Sequence, residues 1–127
     1  MGKRRIRMSI DMSTKYGQVT ITNDVIATIA GGAAVKCYGI VGMASKSQLR
    51  DGFAEMIRKE NYSRGVIVRQ EDNNLHIDMY IIVSYGTKIS EIAHNVQSQV
   101  KYTLNQSLGL EIKSVNIYIQ GVRVTKV

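Results

Sequence analysis

The sequence predicts an α+β domain: one mainly antiparallel or mixed sheet with helices on one face, in the order strand-helix-helix-strand-strand-helix-strand. Three stretches carry that prediction. From Leu75 to Ser84 the apolar residues Leu75, Ile77, Met79, Ile81 and Val83 alternate with His76, Asp78, Tyr80 and Ser84, the period of a strand with two unlike faces. From about Lys88 to Leu108 the spacing changes to three and four, placing Ile89, Ile92, Ala93, Val96, Val100, Leu104 and Leu108 on one helical stripe. From Ile112 to Val122 alternation returns, with Val115, Ile117 and Ile119 on one side and Asn116, Tyr118 and Gln120 on the other.

The remaining elements follow from the start of the chain. Residues 1–14 have no periodicity and read as a basic mobile tail, leaving 15–127 as the domain. Tyr16 to Thr22 alternates as a first strand, with Val19 and Ile21 inward. Asn23 or Asp24 caps a helix whose inward side is Ile26, Ile29, Ala30, Ala33 and Cys37. Gly39-Ile40-Val41-Gly42 breaks it, and Ser45 or Ser47 starts a second helix ending near Asn61. Val66 to Glu71 is a short strand, joined to the Leu75 strand through the turn residues Asp72-Asn73-Asn74. In the long helix, Thr87 stands where an N-cap belongs, and Gly109-Leu110 reads as a left-handed stop.

With 127 residues the chain holds one domain with a self-sufficient core. Its 44% hydrophobic residues include no apolar run of the roughly 18 that span a bilayer. The single cysteine, Cys37, rules out an intramolecular disulfide and fits a reducing, cytoplasmic setting. Of the net charge of +7, Lys3, Arg4, Arg5 and Arg7 supply four units, leaving three for residues 8–127. Those four form a candidate tether to an anionic lipid surface.

No catalytic constellation emerges. His76, Asp78 and Ser84 share one strand face, but Ser84 lies roughly 25 Å from His76 at about 3.3 Å per residue, so no triad forms. No spacing of Cys, His and acids suggests a metal site, and no cofactor motif is present. The alternative function is RNA binding in the manner of a KH domain, with Gly39-Ile40-Val41-Gly42 as the backbone-clamping loop between two helices. Ile40 and Val41 argue against it, because a phosphate-facing loop carries Lys or Arg there. RNA is accordingly not an expected partner.

Several segments together resemble the alkaline shock protein family of Gram-positive bacteria. They are Tyr16-Gly17-Gln18-Val19-Thr20-Ile21, Asp24-Val25-Ile26-Ala27-Thr28-Ile29-Ala30-Gly31, Gly39-Ile40-Val41-Gly42-Met43 and Val115-Asn116-Ile117-Tyr118-Ile119-Gln120-Gly121-Val122. The likeness covers almost all of residues 16–124. It implies a non-enzymatic, cytoplasmic, membrane-proximal protein that self-associates, works through protein partners at the membrane and supports the envelope stress response. It supplies no catalytic residues. The helix-free face of the sheet is poor in charge and carries Tyr80, Ile82, Tyr118 and Gln120, which makes it the candidate self-association surface.

Overall fold

The computed structural model describes residues 9–44 and 63–124. The helix expected over 45–61 and the basic run Lys3, Arg4, Arg5 and Arg7 lie outside these residues. The elements are β1 (Ser9–Thr14), β2 (Gly17–Thr22), α1 (Asn23–Val35), β3 (Ile40–Met43), β4 (Val66–Glu71), β5 (Asn74–Ser84), α2 (Ile89–Leu108) and β6 (Ser114–Arg123).

Strand β5 organises the sheet because it is long enough to serve two partners on one edge. Its 11 residues span roughly 35 Å at about 3.3 Å each. β4 pairs antiparallel with its first half, from Glu71↔Asn74 to Val66↔Met79, and β3 pairs antiparallel with Ile81 to Val83. β6 occupies the other edge in parallel, from His76↔Ser114 to Ser84↔Arg123, so the sheet is mixed as expected. The β4–β5 hairpin closes on two residues, Asp72 and Asn73, with φ of 52° and 65°. Two successive left-handed residues make a type I′ turn, which Asp and Asn tolerate and which matches the strand twist.

β1 and β2 form a separate two-stranded hairpin rather than part of this sheet. Two expectations change here. Ser9–Thr14 belongs to a strand and not to a tail, and β2 does not extend the main sheet. The sequence signal for β1 is only Ile10 and Met12, too short a period to read alone. Pairing with β2 brings Ile10 opposite Ile21, and both pack on the core.

The two described helices cover one face. α1 begins at an N-cap one residue earlier than expected, where Thr22 Oγ1 accepts from the Val25 N–H at 3.4 Å. Its Ala- and Gly-rich side buries Ala27, Ala30, Gly31 and Ala34, and α1 packs on α2, β3 and β4. α2 starts after Lys88 with no side-chain cap, because the Thr87 hydroxyl instead donates to the Ser84 carbonyl at 2.7 Å. Its stop is as expected: Gly109 has φ 69°, and Leu110 folds back, its N–H donating to the Leu104 carbonyl at 3.4 Å. Ile92, Val96, Val100 and Leu104 are buried against Ile77, Met79, Ile81 and Val83, whereas Ile89 at the helix start is exposed.

Gly39 shows why this segment is rich in glycine. It turns the chain from α1 into β3 with φ +90°, and a Cβ there would lie 2.8 Å from Ile92 Cγ1 in the core. Ile40 and Val41 continue directly into β3, half-buried, with Ile40 opposite Val83. Gly39 to Gly42 is therefore a helix-to-strand junction. The KH-type expectation of a clamping loop between two helices does not hold, because Ile40 to Met43 are committed to the sheet.

Candidate functional site

The sheet face turned away from α1 and α2 is the most structured polar surface among the described residues. Alternation in three strands sets it. β4 contributes Ile67, Arg69 and Glu71, β5 contributes His76, Asp78, Tyr80 and Ile82, and β6 contributes Ser114, Asn116 and Tyr118. Neighbouring strands place Asp78 beside Asn116 and Tyr80 beside Tyr118.

At its centre Asp78 is only 8% exposed, although neither α1 nor α2 lies over this face. Arg69 donates to both of its oxygens, from Nε to Oδ2 at 2.7 Å and from Nη2 to Oδ1 at 3.0 Å. Asn116 Nδ2 donates to Oδ1 at 2.8 Å from the opposite strand. The remaining arm of Arg69, Nη1, reaches Glu71 at 2.7 Å. His76 Nδ1 and Ser114 Oγ are hydrogen-bonded at 2.6 Å one register step away. One guanidinium spans two carboxylates, and an amide donates to the more buried of them, a pre-organised cluster of net charge −1 in which each charged group has a partner.

The electrostatics follow from that arrangement. Burial alone would push the Asp78 carboxyl up, but hydrogen bonds from Arg69 and Asn116, with the charge of Arg69, outweigh it and hold it below the ordinary carboxylate range. The hydrogen bond to Asp78 pushes the Arg69 guanidinium still higher than usual. Burial, together with the negative charge of Asp78, pushes the Tyr80 phenol up. Beside the cluster the Tyr80 and Tyr118 rings stack at 5.0 Å between centroids and 18° between planes. Tyr118 is 43% exposed.

Comparison with known proteins sets this geometry in a family. The model of the alkaline shock protein family, described as having a cell envelope-related function, matches residues 11–124. The chain belongs to the alkaline shock protein family. It is 72% identical over 118 residues to the uncharacterized protein YloU of Bacillus subtilis (strain 168), covering 93% of this chain and 98% of that one. It is 45% identical to the uncharacterized protein Spy1614 of Streptococcus pyogenes serotype M6, across 92% and 97% of the two chains. A second Bacillus subtilis protein, YqhY, is 34% identical across 87% and 80%. No solved structure matches the chain. The family resemblance read from the sequence therefore holds, and the function of this family member is cell envelope-related. No described helix is long and apolar enough to cross a membrane.

Of the residues the sequence singled out for self-association, the structure brings Tyr80 and Tyr118 into direct contact. Ile82 has the right register but is only 2% exposed, so it offers no surface. Gln120 sits at the irregularity where Ile81 pairs with Ile119 and Ile82 with Gly121, and it is half-buried. Sequence reasoning missed Arg69, Glu71 and Ser114, and with Arg69 and Glu71 beside Asp78 the face is not poor in charge as expected: its charges are present but paired with one another. The first two were within reach, because a two-residue turn at Asp72-Asn73 fixes Arg69 opposite His76 and diagonal to Asp78. Ser114 was not, since no local rule sets the register of a parallel strand that returns after a helix.

Proposed function

We propose that this protein is a non-enzymatic scaffold of the cell envelope that self-associates through the outer sheet face and holds protein partners close to the membrane. The observation that carries this reading is the Tyr80–Tyr118 stack lying beside a polar cluster whose groups already satisfy one another. Docking a second surface strips water from whatever it covers. Unpaired charges would make that costly, but Asp78, Arg69 and Asn116 keep their hydrogen bonds when water leaves. Stacked tyrosines add apolar area at small entropic loss, the composition favoured at interface centres. In this reading Lys3, Arg4, Arg5 and Arg7 assist as a weak tether to anionic lipid.

The test is size exclusion with light scattering on the full chain at two salt concentrations, with and without anionic vesicles or RNA. The paired change Tyr80→Lys and Tyr118→Lys should abolish assembly while the circular dichroism spectrum is retained. A folded double variant that assembles as the parent does places the interface elsewhere. Assembly that requires RNA returns nucleic-acid binding to first place.

A further inference from the structure

The end of the molecule at which β5 and β6 finish carries a second surface, remote from the polar cluster and separate from the self-association face. Three segments meet there. The Ser84 N–H donates to the Gly39 carbonyl at 2.9 Å, tying the α1–β3 junction to the end of β5, and the Tyr85 N–H donates to the Arg123 carbonyl at 2.7 Å, tying in the end of β6. Gly39 rests on Ile92, which brings the first turns of α2 to the same end.

These segments expose apolar side chains that the fold does not require outside. Tyr38 is 82% exposed, Tyr85 70% and Val124 76%, and Ile89 and Val122 are exposed beside them. Among the described residues, five of the ten exposed large hydrophobics fall at this one end. Such residues scattered singly need no explanation, whereas a cluster does. Among the described residues, Lys36, Lys88 and Arg123 adjoin these side chains in the chain, all exposed, and the carboxylate nearest in sequence is Glu91 in the first turn of α2. The opposite end has the reverse balance. Asp11 and Glu111 line one cleft there with Asn73 and Leu75, the turn carries Asp72, and Lys113 is the adjoining cation. The described residues are therefore polarised along β5.

We infer that the Tyr38/Tyr85/Val124 end is a peripheral docking surface for an anionic phospholipid bilayer. The chemistry of the end fits that occupant. Tyrosine has an apolar ring and a polar tip and partitions to the headgroup boundary, as do short aliphatic side chains on loops. Lys36, Lys88 and Arg123 adjoin them where lipid phosphates would lie, while the acidic end points away. Because the strands end on this surface, docking leaves the outer sheet face uncovered. Lipid docking here is thus independent of whether that face mediates self-association.

The chain has no tryptophan, so single substitutions report locally. The full chain carrying Tyr38→Trp or Tyr85→Trp should show a blue-shifted, quencher-protected emission on adding vesicles of equimolar phosphatidylglycerol and phosphatidylcholine. Tyr102→Trp, about 20 Å further along α2 from Ile89, should show neither change. Each basic residue near an anionic surface contributes about a fivefold gain in binding, so Lys36→Gln, Lys88→Gln and Arg123→Gln together should weaken vesicle binding roughly a hundredfold. Vesicles of phosphatidylcholine alone should bind none of the proteins. Two controls separate the other sources. Loss of all binding on replacing Lys3, Arg4, Arg5 and Arg7 by Ala, with the triple variant unaffected, would assign the lipid contact to the tether and overturn the inference. A blue shift in the Tyr38→Trp protein that depends on protein concentration and not on lipid would overturn it too, by assigning this end to contact between copies. In the Tyr80→Lys, Tyr118→Lys background, Tyr38→Trp should still give the lipid-dependent blue shift.

Discussion

Arg69 grips Asp78 across the β4–β5 hairpin with two parallel hydrogen bonds of 2.7 and 3.0 Å, one step off the direct pairing of Arg69 with His76. The carboxylate is nearly buried and the guanidinium about one-third exposed. The pair thus lies between a surface ion pair, which contributes little, and a buried one whose breakage costs several kcal/mol.

Arg69→Ala should therefore destabilise the protein by about 2 kcal/mol, because it leaves Asp78 desolvated with only Asn116 as donor. Urea unfolding measures this. A double-mutant cycle with Asp78→Ala should give a combined loss clearly smaller than the sum of the single losses, and strict additivity would mean the two groups are not coupled.

The pH dependence has two limbs. The folded-state pKa of Asp78 is depressed, so its contribution to stability is present above the ordinary Asp value of about 3.9 and is lost as pH falls through the lower folded value. Arg69→Ala should flatten that acid limb. The folded-state pKa of Tyr80 is raised, so its contribution is full below the ordinary phenol value of about 10 and is lost as pH rises through the higher folded value. Tyr80→Phe should make stability less sensitive to pH above about 10, measured by urea midpoints across the alkaline range. An unchanged alkaline limb would show that Tyr80 does not set it.

Gly39→Ala should cost about 2–4 kcal/mol. The residue has φ +90°, unfavourable for any side chain, and its Cβ would press on Ile92, which is buried. Ile92→Val in the same chain should recover part of the loss by removing the Cδ1 methyl. The placement of Ile40 and Val41 carries a related expectation: aspartate at these positions should lower stability, so any RNA affinity lost with it would not identify a binding loop.

Cys37 lies just past the end of α1, its thiol donating to the Ala33 carbonyl at 3.6 Å, and burial pushes its pKa up. It should alkylate more slowly than a free thiol at neutral pH, because less thiolate is present. Cys37→Ser should keep both the fold and the assembly behaviour. Thiol-dependent turnover of a substrate, lost in that variant, would contradict a non-enzymatic role.

What the sequence determined by itself is whatever one element's own period encodes. The alternation from Leu75 to Val83 placed five apolar residues in the core, the three-and-four spacing of Ile92, Val96, Val100 and Leu104 gave α2 its buried side, and Gly109 marked its end. The β4–β5 turn was equally local, since Asp72 and Asn73 carry their own left-handed preference. Tertiary structure decided what depends on partners distant in the chain. β1 exists as a strand because β2 pairs with it, and Gly39 must be glycine because Ile92, far along the chain, packs against it. The stacking of Tyr80 on Tyr118 and the meeting of Asp78 with Asn116 both require β6 to return in parallel register after a 20-residue helix. A period of two tells which way each of those side chains points. It carries no information about which residue stands beside it, because neighbours across strands are fixed by the packing of the helix that joins them.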